Sequence, residues 1–190
     1  MVRSQMSSRT LANRLWVQIP GNTRLRIVLL VLIGTILLAV SAHIQVPFWP
    51  VKMSMQSFMV LALAVVYGGR IGTATVAAYL VEGAVGLPVF QSGGGLACFG
   101  GPTAGYLAGF VVATGVVGSL SERGAMHSVV AAFGVLLLGD AIIMVLGTAW
   151  LSTLIGFEKA LSAGLLIFLP AEAVKVTLAA VLTRMTARAI

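Results

Sequence analysis

The chain has 190 residues, of which 59% are hydrophobic and only 9% charged, and its mean hydropathy is +1.05. A soluble domain of this size does not show that balance, so the sequence describes a polytopic integral membrane protein with no separate soluble domain to hold a nucleotide. Lys and Arg outnumber Asp and Glu by 12 to 5, a surplus explained by position along the chain rather than by a nucleic-acid partner. Cys98 is the single cysteine, which excludes an internal disulfide and a cysteine-type metal site.

Residues 1–26 are polar, carry Arg3, Arg9, Arg14, Arg24 and Arg26, and read as a basic cytoplasmic segment ahead of a membrane domain over 27–190. The first apolar run covers 27–44. Ala39-Val40-Ser41-Ala42 within it resembles a signal-peptide cleavage site, but the later spans supply their own targeting, so the run is read as a retained helix. Pro47 and Pro50 then prevent helix, Trp49 suits the membrane interface, and Lys52 has no role the sequence assigns. Runs 53–67 and 71–85 follow as antiparallel neighbours joined by a tight turn at Gly68-Gly69-Arg70. Each is about 15 residues, near the lower limit for crossing about 30 Å of hydrocarbon.

Residues 87–102 hold five glycines and two prolines but no charge. Such backbone cannot face lipid, so it is read as a lid folded over a cavity. Gly93-Gly94-Gly95 lacks the following Lys-Ser or Lys-Thr of a phosphate loop. In the fourth span, 103–120, Gly101, Gly105, Gly109 and Ala113 form a small-residue ridge assigned to packing inside the bundle rather than to a dimer contact. The fifth span, 128–151, has Asp140 near its middle, far from the outer mouth, and this acid is assigned a structural or helix-contact role. Residues 152–163 read as a short surface helix or loop, and 168–185 as the sixth span.

The sixth span carries the chemistry. Pro170 suits the first turn of a helix, and the i, i+3 spacing puts Glu172 and Lys175 on one face. Charges at membrane depth face a cavity or each other, so the pair is either a private salt bridge or part of a ligand site. Six spans place both termini on one side, with nine Lys and Arg against two, which predicts cytoplasmic termini. The start of the sixth helix, the proline loop and the glycine loop then converge on an outward-facing pocket, with Phe90, Tyr106, Trp49 and Phe99 as its walls. Glu82 either lines this pocket or plays a hydrogen-bonded structural role. Gln56 either reaches a ligand or satisfies loop carbonyls. His43 and His127 are interfacial and stand at no metal-ligand spacing. On the first helix, Thr35 and Ala39, with Gly34 and Ala42 beside them, either dock a partner helix or pack inside the bundle.

Several segments together resemble the BioY family. These are Val46-Pro47-Phe48-Trp49-Pro50-Val51, Met53-Ser54-Met55-Gln56-Ser57, Gly69-Arg70-Ile71-Gly72, Tyr79 through Phe90, Gly101 through Phe110, Trp150-Leu151, and Leu169-Pro170-Ala171-Glu172-Ala173-Val174-Lys175. The resemblance implies an all-α fold of six transmembrane helices and the role of biotin-binding S component in an energy-coupling factor (ECF) transporter of the bacterial inner membrane. Biotin would be substrate, with no cofactor, and ATP would be used by two ATPase subunits joined through a transmembrane coupling subunit. Glu172 and Lys175 occupy the positions implied to contact biotin, and the first helix is implied as the docking surface. The family more often has Asp where this chain has Glu172, and Pro where it has Lys52. Other readings are an S component for a different vitamin, a membrane enzyme or an assembly subunit. An enzyme would need a nucleophile with a positioned base, and the sequence offers Glu172 and Lys175 no obvious serine or histidine partner at matching depth. Lipid surrounds the chain, no nucleic acid is expected, and a homo-oligomer remains open.

Overall fold

The computed structural model describes residues 23–46 and 53–189. The basic segment before Thr23 and the stretch Pro47, Phe48, Trp49, Pro50, Val51 and Lys52 lie outside the described residues. Helix α1 (Thr23–His43) leads into a two-residue strand β1 (Gln45–Val46), paired antiparallel with β2 (Met53–Ser54) so that Gln45 faces Ser54. Then come α2 (Gln56–Ala84), a 3₁₀ turn (Leu96–Phe99), α3 (Ala104–Glu122), α4 (Val129–Ile155), the short α5 (Phe157–Leu161), a π-helical turn (Ser162–Leu166) and α6 (Leu169–Ala189). Among the described residues, five helical stretches are long and apolar enough to cross a membrane, the last being the run Phe157–Thr183.

Helix α2 is two arms. At Gly68 the backbone takes φ 79° and ψ 179°, a conformation open to glycine and strained for other residues. Gln56 Nε2 reaches Tyr79 Oη at 2.6 Å, 23 positions away, whereas a continuous helix would separate them by about 35 Å. The chain therefore doubles back at Gly68. Gly69 and Arg70, expected in the turn, already belong to the second arm, because one glycine with positive φ suffices for the reversal. The Glu122 carboxylate at the end of α3 accepts from the Gly69 N–H at 3.0 Å, a negative charge at a helix start.

The exposed faces are as apolar as the buried ones: Ile36 is 61% exposed, Val130 81%, Val145 63% and Val174 68%. In lipid such faces lose nothing by exposure, and close packing rather than hydrophobic expulsion holds helices together. The glycine ridge supplies that packing. A Cβ on Gly105 would overlap the Trp150 side chain, and one on Gly109 would stand 2.9 Å from Ile143 Cα. The ridge thus seats α3 on α4, as expected.

Two boundaries differ from expectation. Helix α4 starts on Ser128, whose hydroxyl accepts from Ala131 N–H at 3.1 Å, and continues past Leu151 to Ile155, where Gly156 at φ 86° ends it. The segment read as a short surface helix or loop is the end of α4 and the short helix α5, whose Glu158 and Lys159 are exposed while Ala160 is fully buried, leading through the π-helical turn into α6. Its polar residues Glu158 and Lys159 hid an otherwise apolar run.

Candidate functional site

The start of α2, the loop after it, and α3, α4 and α6 enclose a cavity of about 50 Å³, room for roughly three or four waters. Gln56 and Ser57 line it from α2, Phe90 and Gln91 from the loop, Tyr106 and Phe110 from α3, Ile143 and Met144 from α4. Phe168 and Glu172 close the remaining side.

Pro170 stands in the first turn of α6, as its lack of an N–H predicts. The preceding π-helical turn sends the Ile167 N–H to Ser162 and the Phe168 N–H to Leu165. That shift frees the Gly164 carbonyl, which accepts from Tyr106 Oη at 2.7 Å. Tyr106 is thereby fixed as a wall, and Gly147 has no side chain to obstruct its ring.

Glu172 and Lys175 are 3% and 7% exposed. Lys175 Nζ donates to Glu172 Oε1 at 2.7 Å, to the Ser54 carbonyl at 2.6 Å and to Ser57 Oγ at 3.3 Å. An ammonium has three hydrogens, so these partners saturate it. Ser57 Oγ in turn donates to Glu172 Oε2 at 2.9 Å. Each Glu172 oxygen retains acceptor capacity, and it is Glu172 that reaches the cavity, with Lys175 behind it. The salt bridge and the cavity wall are one structure.

A second, neutral cluster forms the other polar edge. Gln91 Nε2 donates to Ser54 Oγ at 2.6 Å and to Gln56 Oε1 at 2.9 Å. Gln56 Nε2 donates to Tyr79 Oη, which donates to the Val89 carbonyl at 2.8 Å. The loop is also pinned by Phe90, whose ring meets Tyr79 and Phe99 edge-on at 5.2 and 5.8 Å between centroids. Gly83 leaves space for that ring. Trp150 Nε1 holds the other end of the loop through the Gly101 carbonyl at 2.9 Å.

Of the six expected ligand residues, Glu172, Gln56, Phe90 and Tyr106 line the cavity, and Lys175 supports Glu172 from behind. Glu82 is half-buried, one turn beyond Tyr79, and is not part of the cavity wall. Thr35 and Ala39 form no exposed docking face: Thr35 is 3% exposed and Ala39 packs on the core. The cause is Gly34, where a Cβ would overlap Thr75 of α2, so the small residues of α1 admit another helix of the same bundle. Asp140 is 5% exposed on α4, one turn before Ile143 and Met144 of the cavity wall, and is not itself part of that wall. Ser57 and Gln91 were missed as site residues. Gln91 had a signal, being the lone side-chain amide in the uncharged loop, whereas Ser57 had none beyond its place beside Gln56.

A pocket with apolar walls and a buried acid and lysine at one side, set in a bundle of membrane helices, defines a membrane-embedded small-molecule-binding subunit. The bundle has the fold of an S component: it matches a crystal structure of "the S-component for biotin from an ECF-type ABC transporter" at TM-score 0.77 and 24% identity, covering 90% of this chain and 95% of that one. The sequence profile of the BioY family matches residues 10–190, and the chain belongs to that family. A relative from Thermotoga maritima, "Biotin transporter BioY", is 39% identical over 152 residues, 79% of this chain and 89% of that protein. Another of the same name, from Rhizobium etli, is 36% identical over 151 residues, 74% and 80% of the two chains.

Proposed function

We propose that this chain is the biotin-capturing S subunit of an ECF-type transporter, and that Glu172, held by Lys175, is the group that receives the vitamin. The observation that carries this reading is the Glu172 carboxyl on the cavity wall with Lys175 Nζ 2.7 Å behind it. An acceptor-only group suits a cyclic urea, which presents paired N–H donors. Phe90, Tyr106, Phe110 and Met144 offer the apolar walls a bicyclic ring needs. Gln56 and Gln91 provide neutral polar contacts at the opposite edge. The curated relatives are named as transporters rather than enzymes.

Biotin is larger than a few waters, so entry moves the loop between α2 and α3 outward. Six crossings with cytoplasmic termini fit the reversal at Gly68 and the nine-to-two distribution of Lys and Arg. In that arrangement residues 1–26 are a basic cytoplasmic segment, residues 27–190 form one membrane-embedded domain, and the chain sits in a bacterial inner membrane. A transmembrane coupling subunit and two ATPase subunits complete the transporter, and the S subunit itself uses no cofactor.

The test is equilibrium binding of radiolabelled biotin to the purified chain in detergent, with thiamine and riboflavin as competitors. Saturable binding that neither competitor displaces is expected. A folded sample that binds no biotin, or binds another vitamin in preference, overturns the assignment.

A further inference from the structure

The loop between α2 and α3 has a pocket on each side of it. One is the cavity of about 50 Å³ on whose wall Glu172 stands. The other, of about 350 Å³, is walled by Ser92, Gly94, Ala97, Cys98, Gly101 and Pro102, and it falls in the size range of small-molecule sites, about 300 Å³ and upward. Gln91 and Thr103 belong to both walls, so the two spaces adjoin at that pair.

The partition between them is a tight turn. Phe90 and Gly93 exchange backbone hydrogen bonds of 2.9 and 3.1 Å, which leaves Gln91 and Ser92 at the tip. Gln91 Nε2 points inward to Ser54 Oγ and Gln56 Oε1, whereas Ser92 is exposed and its hydroxyl stands 3.8 Å from Cys98 Sγ on the 3₁₀ turn. Thr103, at the start of α3, spends no hydroxyl bond on capping that helix. Among the described residues that form the outer wall there are hydroxyls, an amide, a thiol and loop backbone, but no carboxylate and no cation.

Biotin is a fused cyclic urea whose acyl chain leaves the bicycle away from the urea. With the urea on Glu172, the chain runs toward the opposite polar edge, formed by Gln56 and Gln91, and the inner cavity has no volume left for it. We propose that the outer pocket is the subsite for this chain, entered between Gln91 and Thr103, and that the protein accepts neutral biotin amides, including biotin joined through its carboxyl to the side-chain amine of lysine, as well as the free acid. A carboxylate in this pocket meets neutral hydrogen-bond donors, so its replacement by an amide forfeits no ion pair. Ala97 and Pro102 are exposed, so a tail longer than that of biotin continues outward past them. The inference rests on the biotin reading of the inner cavity and adds to it the selectivity for the tail.

The test uses the purified full chain in detergent, with radiolabelled biotin displaced by unlabelled biotin, by biotin carboxamide and by the lysine amide. Both amides should bind within about threefold of biotin, whereas a carboxylate held by a cation would leave them weaker by about tenfold or more. The second arm places the tail. N-biotinyl-N′-iodoacetyl-ethylenediamine should alkylate Cys98, the sole cysteine: the thiolate forms a bond to the methylene carbon, the carbon–iodine bond breaks and iodide leaves. Labelling should be faster than by iodoacetamide at equal concentration, be suppressed by excess biotin and disappear in Cys98→Ala. Biotin binding with amides weaker by that tenfold margin overturns the inference and leaves the biotin reading standing. Amides that bind without accelerated, biotin-sensitive labelling of Cys98 put the tail elsewhere and overturn it as well. A folded chain that binds no biotin overturns both.

Discussion

Gln56 and Tyr79 close the hairpin of α2 through a 2.6 Å bond between a side-chain amide and a phenol, both buried. The same phenol donates to the Val89 carbonyl, so one side chain joins the two arms of α2 to the loop over the cavity. The reversal at Gly68 makes this contact available at the opposite end of the arms.

Tyr79→Phe should therefore destabilise the fold. It takes the phenol from the Gln56 Nε2 donor and from the Val89 carbonyl in a buried position, at a cost of about 1–3 kcal/mol. Thermal unfolding in detergent should show a lower midpoint than wild type, and an unchanged midpoint would mean that the hydroxyl does not hold the arms.

Gly34→Val tests the inward face of α1. The added Cβ would overlap Thr75 and crowd Tyr67, and overpacking of this kind costs about 1–3 kcal/mol. The variant should lose thermal stability and biotin binding together. Loss of uptake with stability and binding intact would instead restore this face as a partner-docking surface.

Trp150→Phe removes the bond from indole to the Gly101 carbonyl while keeping an aromatic ring against Gly105. Losing one such bond is worth about 0.5–1.5 kcal/mol. If it anchors the loop, bound biotin should dissociate about two- to tenfold faster, with little change in thermal stability. A dissociation rate equal to wild type would show that this end of the loop stays closed during release.

Composition alone revealed the class, and the glycine ridge and the acid and lysine pair were legible because each depends on spacing within one helix. The Gly68 reversal was legible as a turn, since a glycine pair interrupts two apolar runs. Asp140, read as a structural or helix-contact residue, is buried in α4 and does not line the cavity. Residues 157–166 are helical, which puts Glu172 inside the candidate span Phe157–Thr183 rather than at its edge. Thr35 and Ala39 could not be assigned from sequence because small residues serve a neighbour in the bundle and a partner outside it equally well. Only Gly34 against Thr75 distinguishes the two.

The central claim, that the Glu172 and Lys175 pair holds biotin, is tested most directly by titrating biotin into purified wild type and Lys175→Ala. Removing Lys175 leaves Glu172 buried with its charge unbalanced and deprives Ser54 and Ser57 of their shared donor. Truncating one member of a buried charge pair costs about 2–5 kcal/mol, so the affinity of the variant should fall by about thirty- to several-thousand-fold. Folded Lys175→Ala that binds biotin as tightly as wild type would contradict the account.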